Sequence, residues 1–150
     1  MEYSNSASVG AWAKRFHLAS RAMMERVLRP HDLGSTQWYV LYHLANDGPT
    51  AQRDFQKLLH VEKPTLSDVV EALVHKGFID QTIDPKDKRQ RVLSLTDAGK
   101  TLWVNLPDPI DLGRKVAFEG IDDEALQTVA RILQTATERL NRFICEGNQR

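Results

Sequence analysis

The chain has 150 residues, 41% hydrophobic and 27% charged, the size and make-up of one folded domain rather than a disordered tail. Twenty basic residues balance twenty acidic ones, so any nucleic-acid binding must come from local patterning and not from a global positive field. No apolar run is long enough for a membrane span, Met1-Glu2-Tyr3-Ser4-Asn5 shows no export signal, and the single cysteine suits a reducing compartment; a cytoplasmic location is expected.

In chain order, Trp12, Phe16, Ala19, Met23 and Val27 recur at spacings of four and three, predicting a long amphipathic N-terminal helix. A helix–turn–helix follows. Thr50 is expected to cap a helix from Ala51 to about Leu59, with Phe55, Leu58 and Leu59 as its apolar stripe. His60-Val61 breaks the chain before a second helix from about Glu62 to Lys76, with Pro64 in the first turn where its missing N–H does no harm. Leu66, Val69, Val70, Leu73 and Val74 form its core face, and Gly77 stops it. The opposite face opens with Lys63, Thr65, Ser67 and Asp68, short polar groups where such motifs place base-contacting residues.

Two runs with strand periodicity come next, Phe78 to Ile83 and Arg91 to Leu95, joined by a link too short for a crossover helix. They predict an antiparallel hairpin whose tip, Asp84-Pro85-Lys86-Asp87-Lys88-Arg89-Gln90-Arg91, gathers Lys86, Lys88, Arg89 and Arg91 around Asp87. A cationic hairpin tip after a helix–turn–helix suits a wing for the DNA backbone or minor groove. Beyond it, Pro107-Asp108-Pro109 is expected to kink or break a helix. Leu126, Val129, Leu133, Ala136, Leu140 and Phe143 then form an apolar stripe on a last helix, with Asp122, Asp123 and Glu124 at its favourable N-terminus. The compact middle leaves little for two long terminal helices to cover, so intersubunit packing is expected.

Four stretches then acquire a shared meaning: Leu33-Gly34-Ser35-Thr36-Gln37-Trp38-Tyr39-Val40-Leu41, Pro64-Thr65-Leu66-Ser67, Leu73-Val74-His75-Lys76-Gly77-Phe78-Ile79, and the wing run Asp84 to Arg89 with Leu95-Thr96-Asp97-Ala98-Gly99 behind it. In this order and spacing the chain resembles a MarR-type winged helix–turn–helix transcriptional regulator over nearly its whole length. The resemblance implies a mainly α fold with a small β-wing. It divides the chain into an N-terminal dimerisation helix (1–32), a winged helix–turn–helix (33–98) and C-terminal dimerisation helices (99–150). It also implies a homodimer on double-stranded DNA, a pseudo-palindromic operator, with recognition helices in half-sites about 34–36 Å apart.

On that reading Lys63, Pro64, Thr65, Ser67 and Asp68 meet the major groove, and Arg89 enters the minor groove supported by Lys86, Lys88 and Arg91. Asp87 is expected to hold the Arg89 side chain by a charge-assisted hydrogen bond, and Thr50 and Arg53 to contact phosphates. Asp68, Gln81, Glu62 and His60 depart from the family pattern and leave the operator sequence open. The family commonly binds small aromatic or phenolic acids, which would make Trp12, Arg15, Phe16, His17, Trp38, Tyr42 and His43 the lining candidates here. The alternative for those side chains is ordinary core or surface.

Other classes are less well supported. The five histidines are scattered and no Cys-x-x-Cys occurs, so neither a metal nor another cofactor is expected. No phosphate loop, nucleophile elbow or paired-carboxylate motif points to an enzyme. A winged-helix module that binds protein rather than DNA remains the alternative, since the net charge is zero and Asp68 lies on the recognition face.

Overall fold

Chain punctuation sets the elements. The computed structural model describes residues 8–147. Helix α1 (Val9–Leu28) is capped by Ser8, whose Oγ accepts from Ala11 N at 3.1 Å. A single 3-10 turn, Arg29–His31, carries Pro30 and ends at Asp32 in the left-handed region, φ 55°. Helix α2 (Ser35–Asp47) starts at Gly34 and stops at Gly48, φ 77°. Strand β1 (Thr50–Ala51) leads into α3 (Gln52–Leu59), which His60 ends at φ 51°. Helix α4 (Lys63–His75) has Pro64 in its first turn and is followed by Gly77 at φ 80°. Strands β2 (Ile79–Ile83) and β3 (Arg91–Leu95) precede α5 (Asp97–Asn105), α6 (Pro109–Ala117) and α7 (Asp123–Gly147). The fold is mainly α with a small β-wing, as the pattern predicts.

The wing hairpin pairs antiparallel from Ile79↔Leu95 to Ile83↔Arg91, and β1 adds to its other side through Thr50↔Leu93 and Ala51↔Val92, giving the order β1-β3-β2. This third strand changes the reading of Thr50. Its hydroxyl donates to Gly48 O at 2.9 Å, and the N-cap of α3 is Ala51, without a side-chain cap. Pairing with β3 holds Thr50 extended one residue too early to cap the helix.

Leu28 and Leu33 meet Trp38, Val40, Leu41 and Leu44 of α2, Phe55 of α3, Leu66, Val70 and Leu73 of α4, and Ile79 and Leu93 of the sheet in one core. Two expected members stay outside. Leu58 is 46% and Val74 39% exposed, because each stripe is wider than the contact its neighbours make. Gly99 explains the last motif of the wing region. A Cβ there would lie 2.0 Å from the backbone oxygen of Phe78, so only glycine lets α5 approach the root of β2. Thr96 secures the same seam, its N–H donating to Phe78 O at 3.1 Å and its Oγ1 accepting from Gly99 N at 3.0 Å.

The chain divides into two compact units, one through Gly113 and one from Arg114 onward. The Pro107-Asp108-Pro109 interruption is a full break. Helix α5 ends at Asn105, and Asp108 Oδ1 starts α6 by accepting from Ile110 N at 2.9 Å and Asp111 N at 3.1 Å. In the second unit, Asp122 Oδ1 accepts from Ala125 N at 2.7 Å at the head of α7, with Asp123 and Glu124 in its first turn. No described residue of α7 is buried, and Val129, Ile132, Leu140, Phe143 and Ile144 are all more than half exposed.

Candidate nucleic-acid interface

Burial of Leu66, Val70 and Leu73 turns the other side of α4 outward, and Lys63, Pro64, Thr65, Ser67 and Asp68 are exposed on it. Glu62 occupies the N-cap with no side-chain hydrogen bond, so the first backbone N–H groups of α4 keep their capacity for an approaching anion. Glu71, which the sequence reading did not single out, shares with Asp68 and His75 a concavity along this helix. Its acidic group follows from helical spacing alone: positions 68, 71 and 75 lie one above another.

Two aspartates fold the wing tip. Asp84 Oδ1 accepts from Lys86 N at 2.8 Å, and Asp87 Oδ1 accepts from Arg89 N at 3.0 Å. Backbone bonds from Asp84 N to Gln90 O, 3.0 Å, and from Gln90 N to Asp87 O, 2.9 Å, close the loop. Asp87 therefore serves Arg89 through the backbone and not, as expected, through the guanidinium. An aspartate that accepts from the N–H two residues on is drawn back towards the main chain and away from the long side chain. Lys86, Lys88, Arg89 and Arg91 are exposed, and none is in an ion pair among the described residues.

Helix α3 is tied to the base of the wing. Gln81 Nε2 donates to Gln52 Oε1 at 2.6 Å. With the Gln90 amide oriented so that its oxygen faces Arg53, both Nη atoms of Arg53 donate to it, Nη2 at 2.8 Å. Arg53 is thus anchored beside the hairpin while its side chain remains 67% exposed. Thr50 is half-buried in β1, away from the α3 cap but at the same end of the helix.

The predicted ligand residues fall into two groups. On α2, Trp38 is 2% exposed, stacks on Tyr42 at 5.3 Å between ring centres, and lies 5.4 Å from Trp103 of α5. Its Nε1 is buried with no hydrogen-bond partner among the described residues. Burial, and then the neighbouring Tyr42, push the phenol of Tyr39 up from its ordinary value. His43 Nδ1 lies 3.1 Å from Asp47 Oδ2. On α1, by contrast, Trp12 and Phe16 are 59% and 50% exposed, Arg15 lies over the Trp12 ring at 5.0 Å, and His17 is exposed. Trp103 is a further aromatic that the sequence reading passed over, since a lone tryptophan in a short helix carries no periodic signal.

Residues 33–90, from the approach to α2 through the wing tip, match the family model described as MarR family. Over that stretch the chain is similar to the MarR family. Solved MarR-like structures extend the similarity to the terminal helices. One is Bordetella bronchiseptica BpsR, described for regulation of its DNA binding by 6-hydroxynicotinic acid; it shares 21% identity at a TM-score of 0.80, covering 91% of this chain and 98% of that one. Another is Staphylococcus aureus MepR in a DNA complex, at 20% identity and TM-score 0.78, covering 88% and 98%. Streptomyces coelicolor PcaV, solved with its natural ligand, matches at 21% identity and TM-score 0.73, covering 89% and 94%. At these identities the shared property is the fold. This chain accordingly shares their winged helix–turn–helix fold, and among its described residues no helix is long and apolar enough to cross a membrane.

Proposed function

We propose that this chain works as a homodimeric, sequence-specific repressor whose hold on a pseudo-palindromic operator is altered by a small aromatic or phenolic acid. The observation that carries the reading is the wing: four exposed cations without ion pairs among the described residues, on a loop already folded by Asp84 and Asp87, in the same unit as an α4 whose polar start faces outward. Lys63, Thr65, Ser67 and Asp68 read base edges, Arg89 enters the minor groove, and Thr50, Arg53, Lys86, Lys88 and Arg91 contact phosphates. Dimerisation is supported by α7, whose exposed Val129, Leu140 and Phe143 are apolar surface of the kind that marks an interface. The unpartnered Trp38 Nε1 supports the effector, because an acidic aromatic ligand brings both a ring for Tyr42 and Trp103 and an acceptor for that donor.

A second reading, a protein-binding winged helix, is favoured by the exposed carboxylates of Asp68 and Glu71 on α4. Selection from a random DNA pool at about 150 mM salt separates the two. A two-fold-symmetric motif with half-sites about one helical turn apart is the expected result. Retention without a motif, vanishing as salt rises, would leave the protein-binding reading in its place.

A further inference from the structure

We propose that Lys76, outside the DNA-facing surface, is a positioning residue that sets the aim of the recognition helix. The inference rests on the DNA-binding reading above. Lys76 is the C-cap of α4, and Gly77 turns the chain away immediately after it. A lysine at this end of a helix normally extends into water, near the negative end of the dipole. This side chain is only 24% exposed and reaches back to the corner between α1 and α2. There Nζ donates to the Asp32 backbone oxygen, lies 3.3 Å from Gln37 Oε1, and stands 3.4 Å from Asp32 Oδ2.

The corner that receives it is itself braced. Asp32 is held in the left-handed region at φ 55°, which directs its carbonyl, and its N–H is bonded to Arg29 O at 3.0 Å. Gln37 Oε1 also accepts from Gly34 N at 3.2 Å. Glu25 of α1 accepts from Ser35 N at 3.0 Å, and hydrogen bonding with Ser35 holds its carboxyl below the ordinary glutamate value. One amino group thus joins the far end of α4 to a junction already fixed by α1 and α2.

Apolar contacts through Leu66, Val70 and Leu73 fix how far α4 lies from the core, but such contacts have little directional preference. The two hydrogen bonds of Lys76 are directional, and its ion pair with Asp32 adds to them. Helix α4 has 13 residues, about 20 Å at ~1.5 Å per residue, so a tilt of about 5° at the latched end moves the other end by roughly 1.7 Å. That end carries Lys63, Thr65 and Ser67. A displacement of this size breaks hydrogen bonds to base edges but is tolerated by long cations on phosphates.

The test compares the full-length wild type with Lys76→Met, Lys76→Arg and Gln37→Leu on the operator recovered by selection and on unrelated DNA. Lys76→Met is expected to lower operator affinity about tenfold or more, the size of one charge-assisted hydrogen bond, while affinity for unrelated DNA and the salt slope stay unchanged. Lys76→Arg is expected to restore most of the loss. Gln37→Leu removes one acceptor and is expected to lower the same specificity ratio, which keeps the idea testable if Lys76→Met fails to fold. A salt slope lower by about one would overturn it, revealing a direct phosphate contact. So would a lower melting temperature with unchanged operator affinity of the folded protein, which is the mark of a purely structural lysine. If the wild type selects no operator, the DNA reading falls and takes this one with it; operator affinity unchanged in both Lys76→Met and Gln37→Leu sinks this one alone.

Discussion

Helices α4 and α7 are both amphipathic, and they treat their apolar stripes in opposite ways. Helix α4 buries Leu66, Val70 and Leu73 against α2, α3 and the sheet, whereas no described residue of α7 is fully buried and Leu140 and Phe143 are exposed at 64% and 76%. The same periodicity therefore says only that a face wants covering; where the cover comes from is a property of the surrounding chain. In α4 it comes from the chain's own core. In α7 a second copy is the proposed cover.

The largest effect separating the two helices' surroundings is expected at Phe55, which is fully buried beside α4. Phe55→Ala is expected to cost about 3–5 kcal/mol in urea unfolding, mostly as lost packing. A cost below about 1 kcal/mol would mean the core is looser than its burial implies. A charge on the α7 stripe comes next. Leu140→Asp with Phe143→Asp is expected to give a folded monomer that no longer holds the operator, read by sedimentation at micromolar concentration. A stable dimer would assign the cover of α7 to its own chain.

Arg89→Ala on the wing is expected to weaken operator binding about tenfold or more without changing the oligomer, and to lower the salt slope if the side chain neutralises a phosphate. Unchanged affinity in a salt-controlled titration would remove the wing from recognition. The smallest effect is expected at Glu25. Its carboxyl is held below its ordinary value by Ser35, so the ionised group binds its partner better in the folded state. That contribution is present above the unfolded value near 4.5 and is lost as pH falls through the lower folded value. Glu25→Gln is therefore expected to lower the melting temperature slightly at neutral pH and progressively less in acid. A gap that widens in acid would reverse the sign assigned here.

Much of the first unit was legible in the sequence because its signals are local. Pro64, Gly77 and the alternation around Ile79 and Leu93 mark starts, stops and faces within a few residues of where they act. What escaped reading depends on distant partners. Strand β1 has two residues, too few to show a period, yet its pairing with β3 removes Thr50 from the helix cap. The Gln52–Gln81 bond and the reach of Lys76 to Asp32 link positions tens of residues apart. Asp87 was read as a partner for a side chain when the nearer backbone N–H won. The aromatic set on α1 and α2 was legible as composition, but the burial of Trp38 and exposure of Trp12 come only with the fold.

Under the proposed function, the wing tip, closed by two aspartates in the chain alone, bears on the kinetics of search. Little conformational entropy is left to lose at that loop on contact, so encounter need not wait for a disordered segment to settle. Association then approaches the rate that diffusion and local charge allow, for correct and incorrect sequences alike. On the proposed DNA-binding reading, discrimination is left to dwell time: the protein would sample many sites briefly and stay at the few that α4 also fits.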